Sequence, residues 1–322
     1  MSSETALGQV TELDRSGRLR ARWRRLDLKA SPYLYISPFF LVFIVFGLFP
    51  LGYTAYVSMT DRNLLNPATN FIGLHNYGQL IHDSYFWNAV ENTLAIGLIS
   101  TVPQLVLALG LAHLLNTKMR ARTLFRMSIV LPQVTSLVAV ALIFTQLFSR
   151  DYGLINYGLG SVGMNHIDWE AGRLSSWIAL SVMVIWRWTG YNALIYLAAM
   201  QGIPDELYEA AAIDGARPWK QFLNITVPML RPTIIFTVIV STIGSLQLFT
   251  EPYLFDPLKQ GAATGGSGRQ YQTVAMYLYE KAFGGSQFKF GYASAIAWSL
   301  FLLIALISLL NFLIVRRIRS TD

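Results

Sequence analysis

A single positive charge, Arg187, stands inside a long apolar run in the segment WRWTGYN, and polar groups recur further along at Gln247 and Glu251. At helical spacing Arg187 and Tyr191 share one face, Trp188 and Asn192 another, and Gln247 and Glu251 form a third pair four residues apart. Rings that join apolar area to a polar tip, beside amide, guanidinium and carboxylate groups, suit a neutral, hydroxyl-rich solute. Its hydroxyls take hydrogen bonds and its C–H faces pack on the rings. A lone charge at the centre of an apolar segment costs about 2.5–3.5 kcal/mol on insertion scales, so Arg187 needs a partner or a wet cavity. Two readings stand side by side: a structural pair, with Glu251 as candidate partner, or a solute path lined by Arg187, Trp188, Tyr191, Asn192, Gln247 and Glu251.

Covalent chemistry has little to work with. The chain has no cysteine, which removes disulfides, thiolate metal sites and thiol nucleophiles together. His75, His82, His113 and His166 form no HExxH pair, and no GxSxG elbow occurs. Gly261 and Gly266 have phosphate-loop spacing, but Ser267 stands where lysine is required and no strand pattern precedes them. No catalytic residue, metal site or cofactor is expected on this chain.

The elements that must position these groups are membrane spans. Hydrophobic residues make up 53% of the 322 and charged residues 13%, about half the usual share for a soluble domain. About 20 apolar residues cross a bilayer core, and six stretches qualify, at 33–59, 88–116, 125–149, 175–200, 231–250 and 291–315. Six crossings put both termini on one side. Seventeen Lys and Arg residues flank the spans on that side, from Arg15–Lys29, the 117–126 turn, the 201–231 loop and the C-terminus, against seven on the other. The positive-inside rule therefore places both termini in the cytoplasm. It also accounts for the net charge of +7 without nucleic acid. The first apolar block lacks a small-residue cleavage site and is expected to remain as a span. Residues 1–30 are expected to form a basic arm near anionic lipid, and GAATGGSGRQ, within the outer loop, a flexible connector. The NIT at Asn224 falls on the cytoplasmic side, where glycosylation has no place.

The segment from Gly202 to Pro232 is long for a connection between two spans. Pro204 suits a first helical position, with Asp205 and Glu206 at the positive end of the dipole, which predicts a helix to about Ile213. Gly215 supplies a left-handed stop. Pro218 starts a second helix whose apolar face is Trp219, Phe222 and Leu223, with Pro228 predicted to end it. The residues between Glu209 and Ala216 are mostly small. Another protein's groove can therefore approach this backbone, with Glu209, Asp214 and Arg217 offering charge for orientation. The alternative is an interfacial helix pair lying on headgroups.

Glu209-Ala210-Ala211, three residues, Gly215, nine residues, then Ile225-x-Val227-Pro228 resembles the EAA loop of binding-protein-dependent ABC importer permeases, with Val227 in place of the usual leucine. FIGLHNYGQL, LPQVTS, LFTEPYLF and FGYASAIAW resemble the carbohydrate branch related to the maltose transporter, over about residues 33–318. The resemblance implies an all-α polytopic membrane protein of the ABC importer permease fold, with six transmembrane helices and cytoplasmic termini. It implies a permease domain over 31–318 with a coupling loop over 202–230, outer loops at 60–87, 150–174 and 251–290, and a cytoplasmic tail at 319–322. Glu209, Ala210, Ala211, Asp214, Gly215, Arg217, Ile225 and Pro228 would dock in a cleft of a separate ATPase dimer, which holds ATP and magnesium. A second, homologous permease, an extracytoplasmic solute-binding protein, the lipid bilayer and a di- or oligosaccharide complete the implied set, in a bacterial or archaeal cell membrane. The rival readings are a self-contained secondary transporter or channel, a non-transporting scaffold subunit, and an importer for another solute such as glycerol phosphate.

Overall fold

In hydrocarbon a backbone N–H or C=O has no water to bond, so an apolar stretch closes its hydrogen bonds within itself as a helix. A computed structural model describes residues 30–65, 69–117, 122–255, 264–284 and 288–319, and helices dominate them. The basic arm, apart from Ala30, and the tail beyond Arg319 lie outside the described residues. Four helices are long and apolar enough to cross a membrane: α1 (Ala30–Ser58), α3 (Ser84–Asn116), α7 (Arg173–Met200) and α13 (Phe290–Arg319). Two bent pairs of helices pass the same test together. Helices α4 (Arg122–Val134) and α5 (Leu137–Leu147) meet at 91°, and α9 (Pro218–Met229) and α10 (Arg231–Leu246) at 69°. The count is six only if each pair is one span. The expected continuous helix over 125–149 is thus corrected, whereas that over 231–250 is present and four residues shorter. Thr135 and Ser136 interrupt the first, and the second runs from Arg231 to Leu246, with the chain turning before it at Leu230. Short helices α2 (His75–Ile81), α6 (Leu154–Ser161), α8 (Asp205–Ile213), α11 (Thr250–Phe255) and α12 (Val274–Tyr279) fill the connections.

The described residues up to Tyr56 and those from Val57 onward belong to two compact units. In the first, α1 is apolar all round, as suits a helix solvated by lipid. Its ladder widens to a π turn at Ile44–Leu48, where the N–H of Phe49 reaches Ile44 O. Pro50 follows at once. Its missing N–H and its ring, which crowds the carbonyl four residues back, give the wider turn a local cause.

In the second unit α3 and α7 run side by side in the same direction. Ala108, Ala112 and Leu115 meet Ala193, Tyr196, Leu197 and Met200 at one end, and Ile96 meets Ala179, Leu180 and Met183 further along. Helix α10 returns between them with a polar stripe four residues apart. Thr237 Oγ1 bonds the Tyr196 hydroxyl at 2.6 Å, Ser241 Oγ accepts from Asn192 Nδ2 at 3.3 Å, and Ser245 lies against Gly97. Between helices in lipid such bonds average about 0.6 kcal/mol each, and small residues let the backbones close in. The tightest approach is α4 on α7. A Cβ on Gly190 would stand 1.6 Å from the Ile129 carbonyl oxygen.

The end carrying α2, α6 and α12 is a folded crown. Asn156 donates to Arg150 O and Ile167 O and accepts from the Trp169 indole, which knits 149–169 into one unit. Asn88 and Asn92, one turn apart on α3, donate to the Arg269 carbonyl at 2.8 and 2.9 Å and accept from the Arg173 guanidinium. Arg269 adopts a left-handed φ of 56° and grips both oxygens of Glu280, at 2.6 and 2.8 Å. The expected flexible connector is corrected over 264–270: Gly265, Gly266 and Gln270 are buried and the chain turns tightly there. Residues 261–263 lie outside the described range. Asp83 caps α3 and accepts from the hydroxyls of Tyr277 and Tyr292. Burial works to raise its carboxyl, but these bonds and the N–H groups of Tyr85 and Phe86 prevail and hold it below the usual carboxylate range.

Two outcomes are expected. Gly190→Ala forces α4 off α7 and destabilises the protein by ~3 kcal/mol, read as a lowered thermal midpoint in detergent with poor membrane accumulation. Because the folded carboxyl of Asp83 titrates below the unfolded one, its stabilisation is present above about pH 4 and is lost as pH falls through the folded value. Asp83→Asn therefore lowers the thermal midpoint at pH 7, and the gap from the parent protein narrows below about pH 4.

Candidate functional site

Two sites are built from these elements, an elbow at one end of α7 and a polar cluster where the third crossing breaks. At the elbow, α8 starts one residue later than its sequence suggested. Pro204 is the flanking cap with an extended backbone, and Asp205 and Glu206 occupy the first turn. The far end closes as a Schellman turn: Ala216 N–H bonds Ala211 O, Gly215 N–H bonds Ala212 O, and Gly215 takes φ +77°. Helix α9 then leaves at a fixed angle. Tyr208 OH meets Thr226 Oγ1 at 2.9 Å, and Gln221 Nε2 donates to Ala216 O.

Pro228 does not stop α9, contrary to expectation. The helix widens to a π turn at Phe222–Thr226, with Val227 N–H bonded to Phe222 O, and continues through Pro228 to Met229. As at Pro50, the wider turn accommodates a ring that an α ladder would reject. The expected apolar face also divides. Phe222 is buried among Ala108, Ala112 and Tyr196, with the His113 ring 4.4 Å away, whereas Trp219 is 65% exposed and Leu223 is exposed as well. Ile213 is 87% exposed. Glu209, Ala210, Asp214, Gly215 and Arg217 are exposed, Ala211, Ile225 and Pro228 half-buried. The side chains of Glu209, Asp214 and Arg217 bond nothing among the described residues. The elbow is thus an apolar tip with free charges beside it, on a stem packed into the spans.

At the break, the Arg187 guanidinium donates to Thr135 O at 3.3 Å. It thereby supplies a partner to one of the carbonyls that the C-terminal turn of α4 leaves open, and sets a positive charge at the negative end of that helix. The expected pairing with Glu251 is corrected, since the two are not in ion-pair contact. Glu251 is buried in the first turn of α11, beyond the end of α10. Burial pushes its carboxyl up, against the pull of its own backbone N–H and the charge of Arg187. Gln247 caps α10 and is exposed, so Gln247 and Glu251 do not share one helix face. Trp188 packs half-buried on the core and meets Tyr191 edge to face at 6.0 Å, with Tyr191 turned outward. Asn192 is buried and faces Ser241 of α10 rather than sharing an open face with Trp188. Arg187, Trp188 and Tyr191 thus gather near the break with Glu251 in electrostatic reach.

Sequence reasoning missed the break itself and the Asn88–Asn92–Arg173 clamp. Pro132, Gln133, Thr135 and Ser136, four of five successive residues inside an apolar run, were the signal for the first. The clamp joins residues far apart in sequence and left no local sign.

Residues 104–320 match the family described as binding-protein-dependent transport system inner membrane component. The lactose transport system permease protein of Rhizobium radiobacter is 37% identical over 284 residues, covering 87% of this chain and 92% of that protein. An arabinooligosaccharides transport system permease protein of Halalkalibacterium halodurans is 34% identical over 283 residues, covering 87% and 86%. A trehalose/maltose transport system permease protein of Thermococcus litoralis is 29% identical over 272 residues, covering 84% and 89%. A chain in the crystal structure of a bacterial alginate ABC transporter, in complex with an alginate pentasaccharide-bound periplasmic protein, has the same fold. Its TM-score is 0.77 at 22% identity, over 92% of this chain and 97% of that one. With a family match over well over half its length and relatives aligned almost end to end, this multi-pass chain belongs to the binding-protein-dependent transport system inner membrane components.

Proposed function

We propose that the chain is the membrane-spanning permease subunit of an ATP-driven importer for a di- or oligosaccharide and forms half of its translocation path. The observation that carries the reading is the elbow: free charges and an exposed apolar tip on two helices bolted to the ends of α7 and α10. The substrate class is supported by relatives named for lactose, arabinooligosaccharides and trehalose/maltose. ATP and magnesium belong to a partner ATPase dimer that receives the elbow through Glu209, Ala210, Ala211, Asp214, Gly215 and Arg217. Ile225 and Pro228 keep the stem in place. A second permease of the same kind supplies the other half of the path, and an extracytoplasmic binding protein delivers the solute to the crown. The surplus of basic residues on the elbow side puts the elbow and both termini in the cytoplasm.

The mechanism is mechanical. ATP-driven closure of the ATPases displaces α8 and α9. Because Phe222 and Thr226 are packed against α3, α7 and α8, the displacement passes into the spans and switches the path from inward-facing to outward-facing. Arg187, Trp188, Tyr191, Gln247 and Glu251 offer the solute rings and hydrogen-bonding groups on the way, and Asn192 holds α7 to α10 beside them.

In proteoliposomes holding the complete complex, Glu209→Lys is expected to lower saccharide uptake at least tenfold with the subunits still assembled. Gly215→Pro, which cannot take the left-handed φ, should do the same. Normal uptake with normal assembly in either variant would sink the coupling role. Uptake is also expected to stop without ATP and to survive collapse of ion gradients; the reverse pattern would identify a secondary transporter.

A further inference from the structure

We propose that Gln133 is a substrate-contacting residue, its amide taking a hydroxyl of the saccharide at the break in the third crossing. The inference rests on the saccharide reading above and adds a residue on a different helix from those already assigned to the path.

Gln133 lies in the last turn of α4, two residues before the carbonyl that Arg187 holds. It stands four residues beyond Ile129, on the same helix face, and Ile129 is where α4 presses on Gly190 of α7. The Ile129 carbonyl is, by α-helical register, the acceptor for the Gln133 N–H, so the crossing point of the two helices is at the level of this residue. The side chain therefore faces α7 near Gly190 and Arg187.

Its amide oxygen is sealed from solvent and bonds nothing. The amide nitrogen bonds none of the described residues and is open to solvent, and the side chain as a whole is half-buried. A buried amide oxygen without a partner is disfavoured where an apolar residue of the same size fits. Across α4 the neighbouring Leu131 and Val134 are apolar and exposed, so the polar group is confined to the inner face. A saccharide hydroxyl both donates and accepts, so it matches either end of the amide once the path opens and uncovers the oxygen. The last torsion of glutamine is broad, so the group can turn as the path opens. Its neighbour Arg187 is engaged with Thr135, and Gln133 is an uncharged, uncommitted group at the break.

The test is uptake of radiolabelled lactose, maltose, trehalose and arabinotriose by the full complex in proteoliposomes at saturating binding protein, paired with the thermal midpoint of the purified complex. Gln133→Leu is expected to lower the maximal uptake rate at least tenfold and to change the ranking among the four sugars, with assembly intact and the midpoint unchanged or raised. Gln133→Asn, which keeps an amide, should retain more uptake than Gln133→Leu. Parent-like uptake and ranking in Gln133→Leu would overturn the proposal while leaving the importer reading intact. Loss of uptake together with a lowered midpoint would also overturn it, by making the residue structural. A parent complex that hydrolyses ATP in response to its binding protein yet moves none of the sugars would overturn the saccharide reading and this inference with it.

Discussion

A helix broken inside a bilayer leaves carbonyl groups with no water to bond, each worth several kcal/mol if abandoned, and the contact from Arg187 to Thr135 O answers that constraint. One guanidinium resolves two liabilities together. Its own charge, costly in an apolar segment, is placed against the negative end of α4, and a carbonyl at the break gains a charge-assisted partner. The arrangement requires α4 to lie close on α7. Gly190 permits that closeness, because any side chain there would enter the Ile129 carbonyl. The 91° bend, the half-buried charge and the missing Cβ are therefore one feature, and the polar groups near the break owe their places to it.

The elbow is held by the opposite kind of bonding. Its tip is exposed and its stem is apolar: Phe222 sits in the cluster that joins α3 to α7, and Leu230, fully buried, is the corner at which α9 becomes α10. Packed cores are close to incompressible, so a stem seated this way shifts its neighbours when it shifts. The Schellman turn at Gly215 and the Tyr208–Thr226 bond keep α8 and α9 from folding on each other, so a push on the tip is not absorbed at the turn.

Much of this was legible in the sequence, for reasons that differ by element. The spans were legible because apolar length is a one-dimensional property, and α8 and its stop because Pro204, Asp205 and Gly215 act on their own backbone. What failed was any inference that made proline absolute. Pro228 lies inside a continuous helix, as Pro103 does in α3, because a π turn or a bend can take up the ring at lower cost than ending the helix. The pairing of Arg187 with Glu251 failed for a related reason. Sequence offers only side chains as partners, whereas the break supplies a backbone carbonyl. The crown was read as a connector because Gly-rich composition hides the clamp that Asn88 and Asn92 place on Arg269 from 180 residues away, where the bonds are tertiary.

The fifth crossing shows why these parts function together. It begins with the elbow stem, turns 69° at a single buried leucine, and then carries Thr237, Ser241 and Ser245 along one face toward α7 and α3. Hydroxyls at four-residue spacing can exchange partners along a neighbouring helix at low cost, because each bond is weak and each alternative is similar. An apolar interface of interlocked side chains would resist such a shift as strongly as a core does. Rigidity in the stem and exchangeable polar contacts along the span are the combination the proposed relay needs: packing that does not yield at one end and contacts that can re-form one turn away along the other.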